Sequence, residues 1–194
     1  YKQACLTTKV LMRGSDSDIA YEIFRPEGPM AILPMGNEIF QIVWTAPTAK
    51  CNERVSLNSS LFLDKLAAVL PPNMEPDCLI DSPAYFPVCL SFASQLTKGK
   101  HLLVGETAHS SHPVGGQGLN LCWRDVNELM DLFQKVNLKE IKKSSLASNY
   151  TSNRQWDIVA ILLITHSLVT LFSNTNQMLM FTRKLILKLI GYSK

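Results

Sequence analysis

Residues 104–125, VGETAHSSHPVGGQGLNLCWRD, constrain this chain more than any other stretch. A short apolar run, Lys100 to Gly105, leads into them and an amphipathic pattern leads out. Between the two stand Gly115, Gly116 and Gly118. Glycine permits positive φ and lets the backbone approach a flat partner closely. The helix that follows is expected to begin near Leu119-Asn120. Its first N–H groups have no intrahelical partner and its dipole is positive at that end, so an electron-rich or anionic group is stabilised there. Leu119, Cys122, Trp123, Val126, Met130 and Phe133 recur at i, i+3, i+4 and i+7 over residues 119–133 and build one apolar face. On these physical grounds alone the loop suits a structural turn as well as a cofactor.

The first fifty residues read as strands joined by tight turns. Cys5–Met12, Ile19–Phe24, Met30–Met35 and Glu38–Thr45 are the strand candidates, which predicts an antiparallel meander. Arg13 to Asp18 and Pro26 to Pro29 are turn clusters. Residues 47–70 turn helical and stop at Pro71-Pro72. Ser82 to Leu90 is irregular or strand-like. Two further helices are expected over 146–173 and 175–190. The fold class is therefore α+β. Residues 1–97 are assigned to a sheet with covering helices, 98–145 to the strand, glycine loop and helix, and 146–194 to C-terminal helices.

Charge narrows the function classes. A net charge of +3, spread along the chain, gives no basis for nucleic-acid binding. Cys5, Cys51, Cys78, Cys89 and Cys122 form no C-x-x-C pair, which suits reduced thiols in a cytoplasmic setting. His109 and His112 lie three apart with His101 near, but no further ligands are placed to complete a metal site. Asp16 and Asp18 resemble half a calcium loop that no Glu closes, so a solvated turn is expected. No residue stands out as a catalytic nucleophile, acid or base.

The order Gly105-Glu106-Thr107-Ala108-His109, Pro113, Gly115-Gly116-Gln117-Gly118-Leu119-Asn120, then Arg124-Asp125-Val126, resembles the second FAD signature of class A flavoprotein monooxygenases. Ala20 to Phe24, Gly28 to Met35 and Ile42 to Thr45 are similar to the substrate-domain sheet of the ubiquinone-biosynthesis hydroxylases in that class. Tyr150, Arg154 and Asp157 resemble the opening of their long C-terminal helix. The resemblance implies an FAD site made by Gly105, Glu106, His109, Pro113, Gly115, Gly116, Gln117, Gly118, Leu119 and Asn120. Glu106 stands where the family usually has Asp for a ribitol or ribose hydroxyl, and Thr107 where it usually has Ala. Asp125 is expected to orient local structure. The implied reaction hydroxylates an electron-rich aromatic ring, using NAD(P)H and O2, and the substrate is a lipophilic, prenylated phenol or quinone precursor. Other functions that fit are a polyprenyl reductase of the same fold and a non-catalytic membrane-associated fragment.

Two features bear on partners. No G-x-G-x-x-G after an N-terminal strand and no middle D-G signature is present in these residues, so an N-terminal FAD-binding half is expected to lie elsewhere. The chain starts without Met in an apolar stretch, which reads as a C-terminal portion that alone binds FAD poorly and does not turn over. Trp156 to Phe172 is apolar and is expected to be a buried helix rather than a bilayer span. Residues 175–194 carry Arg183, Lys184 and Lys188 among apolar residues and are expected to touch the inner membrane face peripherally.

Overall fold

Alternation along the first strand decides the sheet. In β1 (Gln3–Arg13), Ala4, Leu6, Thr8, Val10 and Met12 all point inward, the period-two pattern of a half-buried strand. The computed structural model describes residues 1–14, 18–99 and 101–191. Ser15, Asp16 and Ser17 of the Arg13–Asp18 turn, like Lys100, lie outside the described residues.

β2 (Tyr21–Ile23), β3 (Met30–Pro34), β4 (Ile39–Pro47), β5 (Glu75–Leu79) and β6 (Ala84–Pro87) complete the main sheet. Its order is β2-β3-β4-β1-β5, with β6 also paired to β1. Every ladder is antiparallel among the described residues. Leu6 stands opposite Trp44, Val10 opposite Phe40, and Ile32 opposite Ile42. The meander holds for β2-β3-β4 only. β1 lies beside β4, because its long inward-facing row matches that strand along its whole length, while β2 has three residues to offer. β5 was not expected as a strand: Glu75, Pro76 and Asp77 give it a poor β pattern, and it pairs across a register shift at Leu11/Met12.

The helical stretch after β4 is two helices, α1 (Thr48–Val55) and α2 (Ser59–Ala67). The Asn58 side chain breaks the run by accepting the Leu61 N–H at 2.9 Å, an N-cap that starts α2 afresh. Cys51, Phe62 and Leu66 then join Leu6, Phe40 and Trp44 in the core over this sheet. Glu27 ties α1 to the strands by accepting from Arg54 at 2.9 Å and from Trp44 Nε1 at 3.0 Å.

Residues 89–167 form a separate compact unit; 1–88 and 168–194 form the other. The second unit holds β7 (Ser91–Phe92), β8 (Thr97–Lys98), β9 (His101–Leu102), β10 (His109–Ser110), α3 (Gln117–Asn137) and most of α4 (Leu146–Phe172). Its core gathers Leu96, Ala108, Leu121, Leu132, Tyr150, Ile158 and Leu162. α5 (Gln177–Gly191) closes the chain.

Two expectations about helix faces need correction. α3 exists as read and is longer, but the stripe of Leu119, Trp123, Val126, Met130 and Phe133 is exposed, at 39–67%. The buried residues Leu121, Asp125 and Leu132 lie on a different side of the helix. α4 is not a buried helix throughout. Tyr150, Arg154, Ile158, Leu162, Thr165 and Val169 face inward, while Trp156, Leu163 and Ile164 are exposed. The cause is compositional: from Ile158 onward α4 is apolar on nearly all sides, so that stretch marks no single inner face. By length and composition alone α4 could cross a membrane.

Candidate flavin loop

The loop from β9 to α3 is built on three left-handed glycines. Gly105 has φ +62°, and a side chain there would meet the Cys122 sulfur at 3.2 Å. Gly105–Thr107 then forms one turn of 3-10 helix, with Thr107 Oγ1 donating to the Val104 carbonyl at 2.7 Å. After Pro113 the chain makes a second such turn, Val114–Gly116, in which Gly115 and Gly116 take φ +71° and +60°. Left-handed residues in succession cost little only for glycine. Gly116 is also the N-cap of α3 and supplies no side chain to cap it.

The loop's outer surface is bare. A Cβ added at Gly115 or Gly116 meets nothing within 4 Å, and one at Gly118 meets only Ser111 Oγ, at 3.8 Å. Gly115, Gly116, Leu119 and Asn120 are exposed, and Gln117 bends back to donate to the Gly115 carbonyl at 2.9 Å. The first turn of α3 contains no acid. An open cradle of backbone, against the uncapped positive end of a 21-residue helix, suits a flat, electron-rich ring. Glu106 is exposed at the other end of the loop, its carboxylate free to meet solvent or a hydroxyl. Pro113 is half-buried.

Beneath the cradle lies a buried charge network. Asp125, fully buried on α3, accepts the Gly105 N–H at 2.8 Å and Arg154 Nε–H at 2.7 Å, and pairs with His109 Nε2 at 2.8 Å. Burial pushes its carboxyl up, but the hydrogen bonds from His109, Arg154 and Gly105 outweigh this and hold it below the ordinary carboxylate range. An ionised carboxylate only accepts, so His109 Nε2 carries the hydrogen. Arg154 continues to Asp157 at 2.6 Å, and Asp157 to Arg124 at 2.9 Å. Tyr150 on α4 donates to the Leu103 carbonyl at 3.2 Å, and burial beside Asp125 raises its hydroxyl.

The sequence-derived site residues therefore divide. Gly115, Gly116, Gln117, Gly118, Leu119 and Asn120 form one run with exposed or half-buried residues at the start of α3, and Glu106 is exposed in the 3-10 turn before it. His109 points inward to Asp125, and its backbone pairs with Phe92 in a two-stranded ladder. His112 is buried, and its Nδ1 accepts the Val114 N–H at 3.1 Å. Among the described residues no cluster of His, Cys, Asp or Glu could hold a metal. Sequence reasoning did not foresee that His109 and Arg154 converge on Asp125. The available signal was a charge set into an apolar face: Asp125 falls in line with Leu121, and Arg154 with Tyr150 and Ile158.

Known proteins resemble this chain along most of its length. A ubiquinone hydroxylase of Rhodospirillum rubrum is 30% identical over 177 residues, covering 90% of this chain and 41% of that protein. The 3-demethoxyubiquinol 3-hydroxylase of Escherichia coli is 30% identical over 132 residues, covering 68% of this chain and 34% of its own length. The chain thus spans well under two thirds of the curated relatives it matches. Among solved structures, PqsL of Pseudomonas aeruginosa in complex with 2-aminobenzoylacetate shares the fold, with a TM-score of 0.74 at 16% identity over 89% of this chain and 49% of that one. The family model described as FAD binding domain matches residues 5–162, taking in both the sheet and the flavin loop, and to that family of FAD-binding proteins this chain belongs.

Proposed function

We propose that this chain is the ring-binding part of an FAD-dependent monooxygenase that hydroxylates an aromatic ring, with NAD(P)H and O2 as co-substrates. The bare glycine cradle at the uncapped start of α3 carries the reading. Gly115 to Asn120 would meet the pyrimidine edge of the isoalloxazine, Pro113 its flank, and Glu106 a hydroxyl of the ribityl or ribose part. When bound, the flavin supplies the redox and oxygen chemistry. The residues of this chain orient it, offer helix N–H groups to its electron-rich edge and keep water from its inner side. His109 belongs to the support of that surface.

The substrate is a lipophilic phenol or quinone precursor. Two relatives hydroxylate ubiquinone-type rings by name, which supports this class. The exposed apolar stripe on α3 is the seat for the nucleotide-binding half of the flavoprotein, since ~20 Å of apolar helix surface is seldom left to water. α5 gives a membrane contact. Met178, Phe181 and Leu185 are exposed at i, i+3 and i+7, and Lys184 and Lys188 flank them. The protein would act in the cytoplasm, at the inner membrane face.

The test is product analysis with the full-length protein that carries this chain. Incubation with NAD(P)H and prenylated phenols should consume O2 and give a product one oxygen atom heavier. A product gaining hydrogen without O2 uptake would move the assignment to a reductase.

A further inference from the structure

We propose that Arg154, on α4 and outside the flavin loop, is a positioning residue for FAD: it holds Asp125 in the form that receives Gly105 and His109 together. The proposal rests on the flavin reading of residues 105–120.

Three separate stretches meet at one carboxylate. Asp125 Oδ2 takes both the Gly105 N–H and His109, each at 2.8 Å, and Oδ1 takes Arg154 Nε–H at 2.7 Å. Asp125, His109 and Arg154 are 0%, 2% and 5% exposed. Arg154 Nη2 is buried with no hydrogen-bond partner among the described residues, so Asp125 and Asp157 hold the guanidinium through its other nitrogens. A carboxylate at this depth persists as an anion only beside a fixed cation. Without the guanidinium, Oδ1 loses its donor and the carboxylate loses its fixed cation. The carboxyl group is then free to turn, and Oδ2 no longer stays where it meets both N–H groups.

The weakest member of the assembly is the turn. Gly105 sits at φ +62°, and the direction of Glu106 depends on it. Thr107 and Ala108 close the turn from within, and Asp125, as partner of the Gly105 N–H, ties it to α3. α4 also holds the strand just before it, through Tyr150 and the Leu103 carbonyl. Arg154 and Tyr150 lie one turn apart on the same helix face, so α4 backs the loop at two points. A helix outside the flavin signature thereby governs the spacing between Glu106 and the glycine cradle.

The experiment uses the full-length FAD-loaded protein. Arg154→Met keeps an unbranched stem and removes the charged head. It should raise the Kd for FAD at least tenfold and displace the visible flavin bands, and Arg154→Lys should recover most of both. Ile158→Ala, a cavity in the same core away from Asp125, should lower Tm without moving the bands or the Kd. Should Arg154→Met fail to fold, the neutral pair Asp125→Asn with Arg154→Met replaces it. That pair should still bind FAD at least tenfold more weakly, because without the guanidinium nothing fixes the amide oxygen toward Gly105 and His109, and the amide nitrogen cannot accept in its place. Unchanged Kd and bands in the charge-removed variant overturn the proposal, as does an equal change in Ile158→Ala at equal Tm. Failure of the unsubstituted protein to bind FAD overturns the flavin reading together with this one.

Discussion

His112 sits under the glycine cradle as an acceptor, its Nδ1 holding the Val114 N–H. That bond needs a neutral ring. Burial pushes the His112 pKa down to about 4, against roughly 6.5 for an unfolded histidine. Between those values the unfolded chain binds a proton that the folded chain refuses. The stabilisation is therefore complete above pH ~6.5 and is lost as pH falls towards 4. Denaturant titrations should show a loss of about 3 kcal/mol across that window. His112→Gln, which never charges, should flatten it; an unchanged slope would sever the loop's acid sensitivity from this residue. The glycines of the cradle were legible from sequence because each does a job visible in its type. The inward turn of His109 was not, because a histidine in a loop motif looks the same whether it meets a ligand or a buried carboxylate.

α3 and α5 carry the predictions at the level of elements. α3 was legible from apolar periodicity, α4 from its unbroken apolar length, and the antiparallel β2-β3-β4 run from its turns. What periodicity could not tell was which face of α3 is used within this chain. It reports that an apolar stripe exists, and the partner of that stripe is settled by tertiary contacts. The other side, carrying Leu121, Asp125 and Leu132, packs on the core. Trp123→Gln should therefore change the stability of these 194 residues by no more than about 0.5 kcal/mol. Under the proposed function, the same substitution should weaken FAD retention in the full-length protein by disturbing the seat of the nucleotide-binding half. Equal, small effects in both would leave the stripe without that partner. For α5, co-sedimentation with anionic vesicles should fall sharply when residues 175–194 are removed, and binding that survives the deletion would place the membrane contact elsewhere.

At the scale of the molecule, two compact units divide the work. One is an antiparallel sheet with two covering helices, and the other carries the flavin loop on a buried carboxylate. The sequence resemblance spanned both, and the family match over residues 5–162 does too. The β1–β4 pairing escaped sequence reading because sheet order is a long-range choice, which depends on strand length and matching faces more than on local pattern. The central claim is that the flavin ring rests on Gly115 to Asn120. The most direct measurement is FAD affinity after Gly116→Asn. Asparagine tolerates a left-handed φ, and a side chain at Gly116 meets nothing within 4 Å, so the fold should be kept. The new side chain would fill the cradle. The full-length protein should keep its Tm within a few degrees while its Kd for FAD rises at least tenfold. An unchanged Kd and flavin spectrum would contradict the account.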